Sequence, residues 1–167
     1  SDNGIGVAGV APGARVWAVK VMSDGGWGYR SDIIEGIDWV TANADVIDVV
    51  NMSIGAVGND DGNCGLNDLD AMHYAICNSI AQGVVYVVSA GNDSRDAATK
   101  VPAAYDEVIT VSAVADFDGI PGGLGSSTCR FDVDDTLANF SNYGADVDIA
   151  APGVCILSSL PGGSYAS

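Results

Sequence analysis

The sequence predicts an α/β fold with a mostly parallel β-sheet and flanking helices. Two observations carry that prediction. Segments alternate strand, helix, strand, helix, strand, the order of a sheet wound by right-handed crossovers. The strand candidates are also short, nearly unbroken apolar runs, as expected where helices cover a sheet. Ligands of such sheets gather at the carboxyl ends of the strands.

The first element expected is a strand over 14–22, rich in Val with Trp17 and ending at Ser23-Asp24-Gly25-Gly26. A helix follows to about Asn43, with Ser31 as N-cap and Ile33, Ile34, Ile37 and Val40 at helical spacing. Residues 46–54 read as a strand buried on both faces, and 55–65 as a loop. A second helix is expected from Asn67 or Asp68 to Gln82, with Gly83 just past its end. Strands over 84–88 and 108–114 come next, then a long Asp- and Gly-rich surface insertion over 116–136, and short strands over 147–150 and 154–158. At 167 residues the chain has room for one sizeable core, so residues 1–167 are expected to form one domain, with insertions at about 56–66 and 116–136.

The formal charge is −16, with 22 acidic residues against 6 Lys plus Arg. A polyanion would be repelled, so no nucleic-acid partner is expected. No stretch reaches the ~18–20 apolar residues of a membrane span. All the acids but Glu35 and Glu107 are Asp, which favours turns, caps and calcium loops. Cys64, Cys77, Cys129 and Cys155 show no C-x-x-C spacing and His73 is the only histidine, so no zinc site is expected. Of three pairings that form two disulfides, Cys64 with Cys77 and Cys129 with Cys155 is favoured, because each closes a separate Gly- and Asp-rich excursion. Disulfides imply an oxidising compartment.

Residues 4–9 match the dinucleotide fingerprint G-x-G-x-x-G, but the strand before and helix after that its chemistry needs are missing. Val87-Val88-Ser89-Ala90-Gly91-Asn92 is more informative. A buried strand runs out into small residues, which let a substrate backbone approach, and then into an Asn whose amide can donate to an oxyanion. His73 falls inside the second helix with no glycine-rich turn around it, which points to a structural role.

Six segments occur in the order and approximate spacing of subtilisin-like serine proteases. They are Gly9-Val10-Ala11-Pro12-Gly13-Ala14, Ala18-Val19-Lys20-Val21, Asn51-Met52-Ser53-Ile54-Gly55, Ser89-Ala90-Gly91-Asn92, the stretch from Pro102 to Val111, and Ala150-Ala151-Pro152-Gly153-Val154. The chain resembles that family over nearly its whole length. The resemblance implies a three-layer fold, with Asn92 as the oxyanion-hole donor. Gly26-Trp27-Gly28 and Ser53-Ile54-Gly55 would hold the substrate as an added strand. Ser89-Ala90-Gly91 and the stretch from Lys100 would wall the first pocket, where Lys100 suggests a preference for acidic side chains. Met22, Arg30, Ile33 and Ile54 would surround the fourth. The resemblance also implies calcium as a structural ion: Asn3 for one site, and Asp146 and Asp148 with the carbonyls of Ala103, Tyr105 and Val108 for a weaker one. A cis Val101-Pro102 bond is implied as well.

The family's aspartate and His-Gly-Thr-His motifs would precede Ser1, and its Gly-Thr-Ser-Met-Ala motif would follow Ser167. The fold is therefore expected truncated at both ends, and the chain inactive alone as part of a secreted endopeptidase whose partners are peptide or protein substrates and whose chemistry needs no cofactor. A noncatalytic peptide-binding module of the same fold is the alternative. Sheet surface left bare by the missing helices is expected to drive the chain into homo-oligomers.

Overall fold

The computed structural model describes residues 6–167, which form two compact units. The larger comprises residues 19–112 and 140–150, the smaller residues 113–139 and 151–167 with the start of the chain.

In the larger unit, α1 spans Arg30–Ala42 and starts one residue before the expected N-cap, with Tyr29 at the cap position and no capping side chain. Ser31 instead places its hydroxyl 3.3 Å from Asp32 Oδ1. β1 is Val49–Met52, and β2, Ala56–Val57, follows at once. α2, Ala71–Ile80, is capped by Asp70, whose Oδ1 accepts from the backbone N–H of Met72 at 3.0 Å and His73 at 3.4 Å. Its start lies later than expected because Leu69 has φ 65°, a left-handed conformation that no helix interior accommodates. Gly83, at φ 96°, takes the glycine-favoured turn beyond the helix. β3 is Val85–Ser89, β4 Lys100–Val101 after a 3₁₀ turn at Ala97–Thr99, and β5 Ile109–Ala115.

β1, β3 and β5 are parallel neighbours in that order, registered by Val50 opposite Tyr86 and Val88 opposite Thr110. Residues facing each other across this register share a sheet face. Met52, Tyr86, Val88, Thr110 and Ser112 occupy one face and are buried, and Met52, Tyr86 and Val88 pack with Ile37 and Val40 of α1 and Met72 and Ile76 of α2. The other face carries Val49, Val85 and Ile109, which are 58%, 43% and 40% exposed. The expectation that the strand over 46–54 is buried on both faces therefore fails at β1, an edge strand with helices over one face only. β2 and β4 form a separate antiparallel pair. The Val101–Pro102 peptide bond is cis, as the resemblance implied.

The expected strand over 14–22 does not form. These residues pair with no other strand, and Val16 is 90% exposed. A β-rich composition makes a strand only where a neighbour supplies ladder hydrogen bonds and packing.

In the smaller unit, the end of β5 pairs antiparallel with β6, Thr136–Leu137. β7, Ile149–Pro152, runs from the larger unit into the smaller and pairs with β5, and β8, Ser158–Ser159, pairs with β9, Tyr165–Ala166. The insertion is built around aspartates, of which Asp132 and Asp134 are buried and Asp135 is exposed. Asp134 accepts from the N–H of Phe117 and of Gly125, each at 2.7 Å. Asp132 accepts from the N–H of Asn139 at 2.7 Å and from Arg130 Nε at 3.1 Å, and Asp135 from the N–H groups of Gly122 and Gly123. Both disulfides form in the favoured pairing, Cys64–Cys77 in the larger unit and Cys129–Cys155 in the smaller.

Backbone donors hold the Asp134 carboxyl below its usual 3.8: the N–H of Phe117 contributes most and that of Gly125 next, against an opposing desolvation. A carboxylate depressed on folding stabilises the fold above its unfolded value and loses that contribution as pH falls through the folded one. Asp134→Asn should lower the midpoint of thermal unfolding at pH 7, and its gap from the native protein should close below pH about 3.8. A gap unchanged by acid would show that the carboxylate charge is not what holds the insertion.

Candidate functional site

The candidate site is built at the carboxyl ends of two adjacent parallel strands. Met52 of β1 faces Val88 of β3, so Ser53-Ile54-Gly55 and Ser89-Ala90-Gly91-Asn92 leave the sheet side by side. Lys100 joins them by two routes. It pairs with Val57 in the β2–β4 ladder, and its Nζ lies 2.5 Å from Asp93 Oδ2, one residue past Asn92. Gly26-Trp27-Gly28 forms a tight turn just before α1. Gly26, at φ 77°, donates to Ser23 O, and Ser23 donates to Trp27 O through both its N–H and its hydroxyl at 2.8 Å. Trp27 is 82% exposed.

The Asn92 loop is rigid at its base. Ala90 is buried, and its N–H extends the β3–β5 ladder by donating to Val111 O at 2.9 Å. Gly91 has φ 106°, and a Cβ there would lie 2.5 Å from Asn142 Nδ2, so only glycine fits. Asn92 itself is exposed, as a donor to a ligand must be.

Sequence reading missed the residue that organises this loop. Asn142 is completely buried and spends its amide on the loop backbone. Its Nδ2 donates to Ala90 O at 2.8 Å, while its Oδ1 accepts from the N–H of Asp93 at 2.9 Å and of Arg95 at 3.1 Å. Its own N–H donates to Gly91 O at 2.9 Å. Asn92 is thus bracketed on both sides. In the sequence, an Asn two residues before Gly144 reads as an ordinary turn, and a partner 52 residues away leaves no local signal.

Lys100 is not an isolated cation. Its side chain is mostly buried, and Asp93 neutralises it while Lys100 holds the Asp93 carboxyl below its usual value. The pair offers an acidic ligand no net positive charge, which removes the physical basis for an acidic preference. In the fourth-pocket set, Arg30 Nη1 reaches Asp70 Oδ1 at 3.4 Å.

Of the expected cation ligands, Asn3 lies outside the described residues. Asp148 Oδ2 accepts from Thr110 N at 2.7 Å, and Ala103 O accepts from the Thr110 hydroxyl at 2.7 Å. Each oxygen keeps a second lone pair. Asp146 is half-buried; burial, then repulsion from Asp96, Asp106, Asp60 and Asp148, raises its carboxyl above the usual range. An all-oxygen set in negative surroundings fits a hard cation such as calcium. His73 is fully buried on α2 with its ring stacked on Tyr105, so it serves no site at the strand ends.

The sequence pattern of the subtilase family matches residues 1–167. Subtilisin DY of Bacillus licheniformis is 35% identical over 99% of the chain, which covers 52% of that protein. Subtilisin E of Bacillus subtilis (strain 168) is 37% identical over 98% of the chain, which covers 36% of that protein. The chain thus spans roughly a third to a half of the length of these curated relatives. Among solved structures, a cold-adapted subtilisin-like serine proteinase superposes with a TM-score of 0.66 at 30% identity, over 87% of this chain and 44% of that one. A protease of Pseudoalteromonas arctica PAMC 21717 gives a TM-score of 0.71 at 28% identity, over 96% and 47%.

Asn142→Ala would leave the buried Ala90 carbonyl without its donor, at a cost of about 1–3 kcal/mol. Urea unfolding should show that loss. Asn142→Asp, whose buried carboxylate would face the Ala90 carbonyl oxygen, should lose at least as much at neutral pH and recover in acid as the carboxyl protonates and can donate. A loss under about 0.5 kcal/mol for the alanine variant would match an ordinary surface site and contradict the role.

Proposed function

The chain belongs to the subtilase family, and from that premise we propose that it supplies the oxyanion donor and the substrate-binding segments of a subtilisin-like serine endopeptidase. The carrying observation is the bracketing of Asn92 by Asn142, which presents an exposed amide from an immobile backbone. Such preorganisation suits charge that develops only in a transition state, because the donor need not reorient when the charge appears. Ser53-Ile54-Gly55 would pair with the substrate backbone from one side and Gly26-Trp27-Gly28 from the other. Ser89-Ala90-Gly91 and Lys100 would wall the first pocket.

Peptide hydrolysis also needs a nucleophile, a base within hydrogen-bond reach and an acid to orient that base. The sole histidine of these 167 residues is buried on α2. It cannot meet a serine at the strand ends, so the reading gives the triad to other parts of the protein and no hydrolysis to these residues alone. Calcium is proposed as a structural ion held by Asp146 and Asp148, with no part in the reaction. Secretion fits the two disulfides and a further relative, the minor extracellular protease Epr of Bacillus subtilis (strain 168), 33% identical over 99% of this chain.

In the full-length protein, Asn92→Ala should lower kcat by about 10²–10³ with KM little changed, the loss known for a subtilisin oxyanion donor. The 167 residues alone should take no stoichiometric fluorophosphonate label; labelling would sink the division of roles. The apolar face bearing Val49, Val85 and Ile109 should also make the isolated chain self-associate at micromolar concentration, and a monodisperse monomer in light scattering would count against that.

A further inference from the structure

One polar atom in the core of the larger unit has no partner. His73 Nδ1 is fully buried and makes no hydrogen bond. The ring is fixed from two other directions. Nε2 lies 2.8 Å from Glu107 Oε2, and the Tyr105 ring stacks on the imidazole at a centroid distance of 3.9 Å. A carboxylate can only accept, so Nε2 carries the proton of that bond and the tautomer is set. In the neutral ring, Nδ1 then presents a lone pair, and it faces two more acceptors: Asp61 Oδ1 at 3.5 Å and Asp60 Oδ1 at 3.6 Å. Nδ1 and the two carboxylate oxygens all lie within 4.8 Å of one another, close enough to share one cation.

The distances say which kind. A proton on Nδ1 would draw an aspartate into a charge-assisted hydrogen bond of about 2.7–2.9 Å. A tetrahedral ion about 2.0–2.2 Å from each ligand holds neighbouring ligands about 3.3–3.6 Å apart. Both separations from Nδ1 match the second arrangement. One imidazole nitrogen in a set of few ligands selects a transition ion over calcium or magnesium, which take oxygen cages.

We propose that His73 Nδ1, Asp60 Oδ1 and Asp61 Oδ1 bind one divalent transition-metal ion of the zinc class. The surroundings are arranged as outer-shell support. Glu107 on Nε2 completes a carboxylate–histidine–metal relay. Loop N–H groups fix both aspartates: Asp61 Oδ1 accepts from Asn63 and Gly65 at 2.9 Å and its Oδ2 from Asn67 at 2.7 Å, and Asp60 Oδ1 accepts from Gly62 at 2.8 Å, so an ion on Asp61 Oδ1 would loosen one of its two N–H bonds. The Asp60 side chain is 16% exposed, which leaves the fourth position open to water. The ion would bind the 58–67 loop to α2 beside the Cys64–Cys77 disulfide and offset part of the charge of three carboxylates around one ring. The site stands apart from the strand ends and does not depend on the protease reading.

The test uses zinc itself on the full-length protein, dialysed against o-phenanthroline with calcium retained. The native protein should bind one more equivalent of zinc than His73→Gln or Asp60→Asn, and zinc should raise its unfolding midpoint but not theirs. Crystals soaked in zinc should show an anomalous peak between the three ligand atoms, a readout that survives if either variant fails to fold. Equal zinc stoichiometry in native and variant proteins would overturn the proposal, as would an empty site in soaked crystals or a proton retained on Nδ1 in ¹⁵N spectra under excess zinc.

Discussion

The double pairing of β3 is the constraint on which the rest of the larger unit depends. The strand is hydrogen-bonded on both edges, to β1 and to β5, and its buried face carries Tyr86 and Val88. Tyr86 shows how tightly that face is specified. Its hydroxyl donates to Ser79 of α2 at 2.9 Å inside the core, so a one-residue slip of β3 would lose that bond and turn the aromatic ring out of the core. With the register fixed, the exit point of the chain is fixed too, and Ser89-Ala90-Gly91-Asn92 must emerge beside Ser53-Ile54-Gly55. Asn142 then converts this placement into rigidity, because a loop leaving a sheet has lost its ladder partners and needs others. Its amide supplies one donor and one acceptor to three backbone groups.

The charge of −16 takes on a particular meaning in this fold. Most of it is a solvated coat, but a few carboxylates are scaffolding. Asp61, Asp70, Asp132 and Asp134 each accept two or more bonds, mostly from backbone N–H groups, so carboxylates here take the part that ladder carbonyls play in regular structure. Asp suits this task because its short side chain reaches backbone donors a few residues away. Asp61 shows the outcome: desolvation opposes ionisation, yet the N–H groups of Asn67, Gly65 and Asn63 lower its carboxyl to about 2. A loop built this way keeps its shape without apolar residues.

Local and repeating signals made the fold legible in the sequence. The helical spacing of Ile33, Ile37 and Val40, the apolar run around β3 and the ordered motifs led to the right class, family and disulfide pairing. Boundaries were less legible, for reasons visible in single residues. Asp68 and Asp70 are equally good caps by composition, and Asp70 prevails because the Tyr105 hydroxyl, at 2.6 Å, and Arg30 hold its carboxylate in place. Val46 and Ile47 look like strand, but their N–H groups are already committed to Asn43 O in the turn after α1. At the strand ends, the position of Ser89 to Asn92 just past a buried strand could be read, and Asn142 could not, since its contacts exist only after distant segments meet.

The same limit explains why spacing rules argued against a zinc site. Such rules detect ligands that one short segment supplies, and here one histidine and four disulfide-bonded cysteines satisfy none of them. Ligands brought together by tertiary structure obey no spacing, and their evidence is energetic: a buried nitrogen lone pair aimed at two carboxylates is unfavourable unless a cation lies between them. Asp60 and Asp61 come from a loop, His73 from a helix, and Glu107, which fixes the tautomer, from the turn before β5. Two segments supply the groups around Nδ1, and a third holds the ring from its other nitrogen. That convergence separates a binding site from an incidental cluster of surface acids, which would satisfy its charges with water.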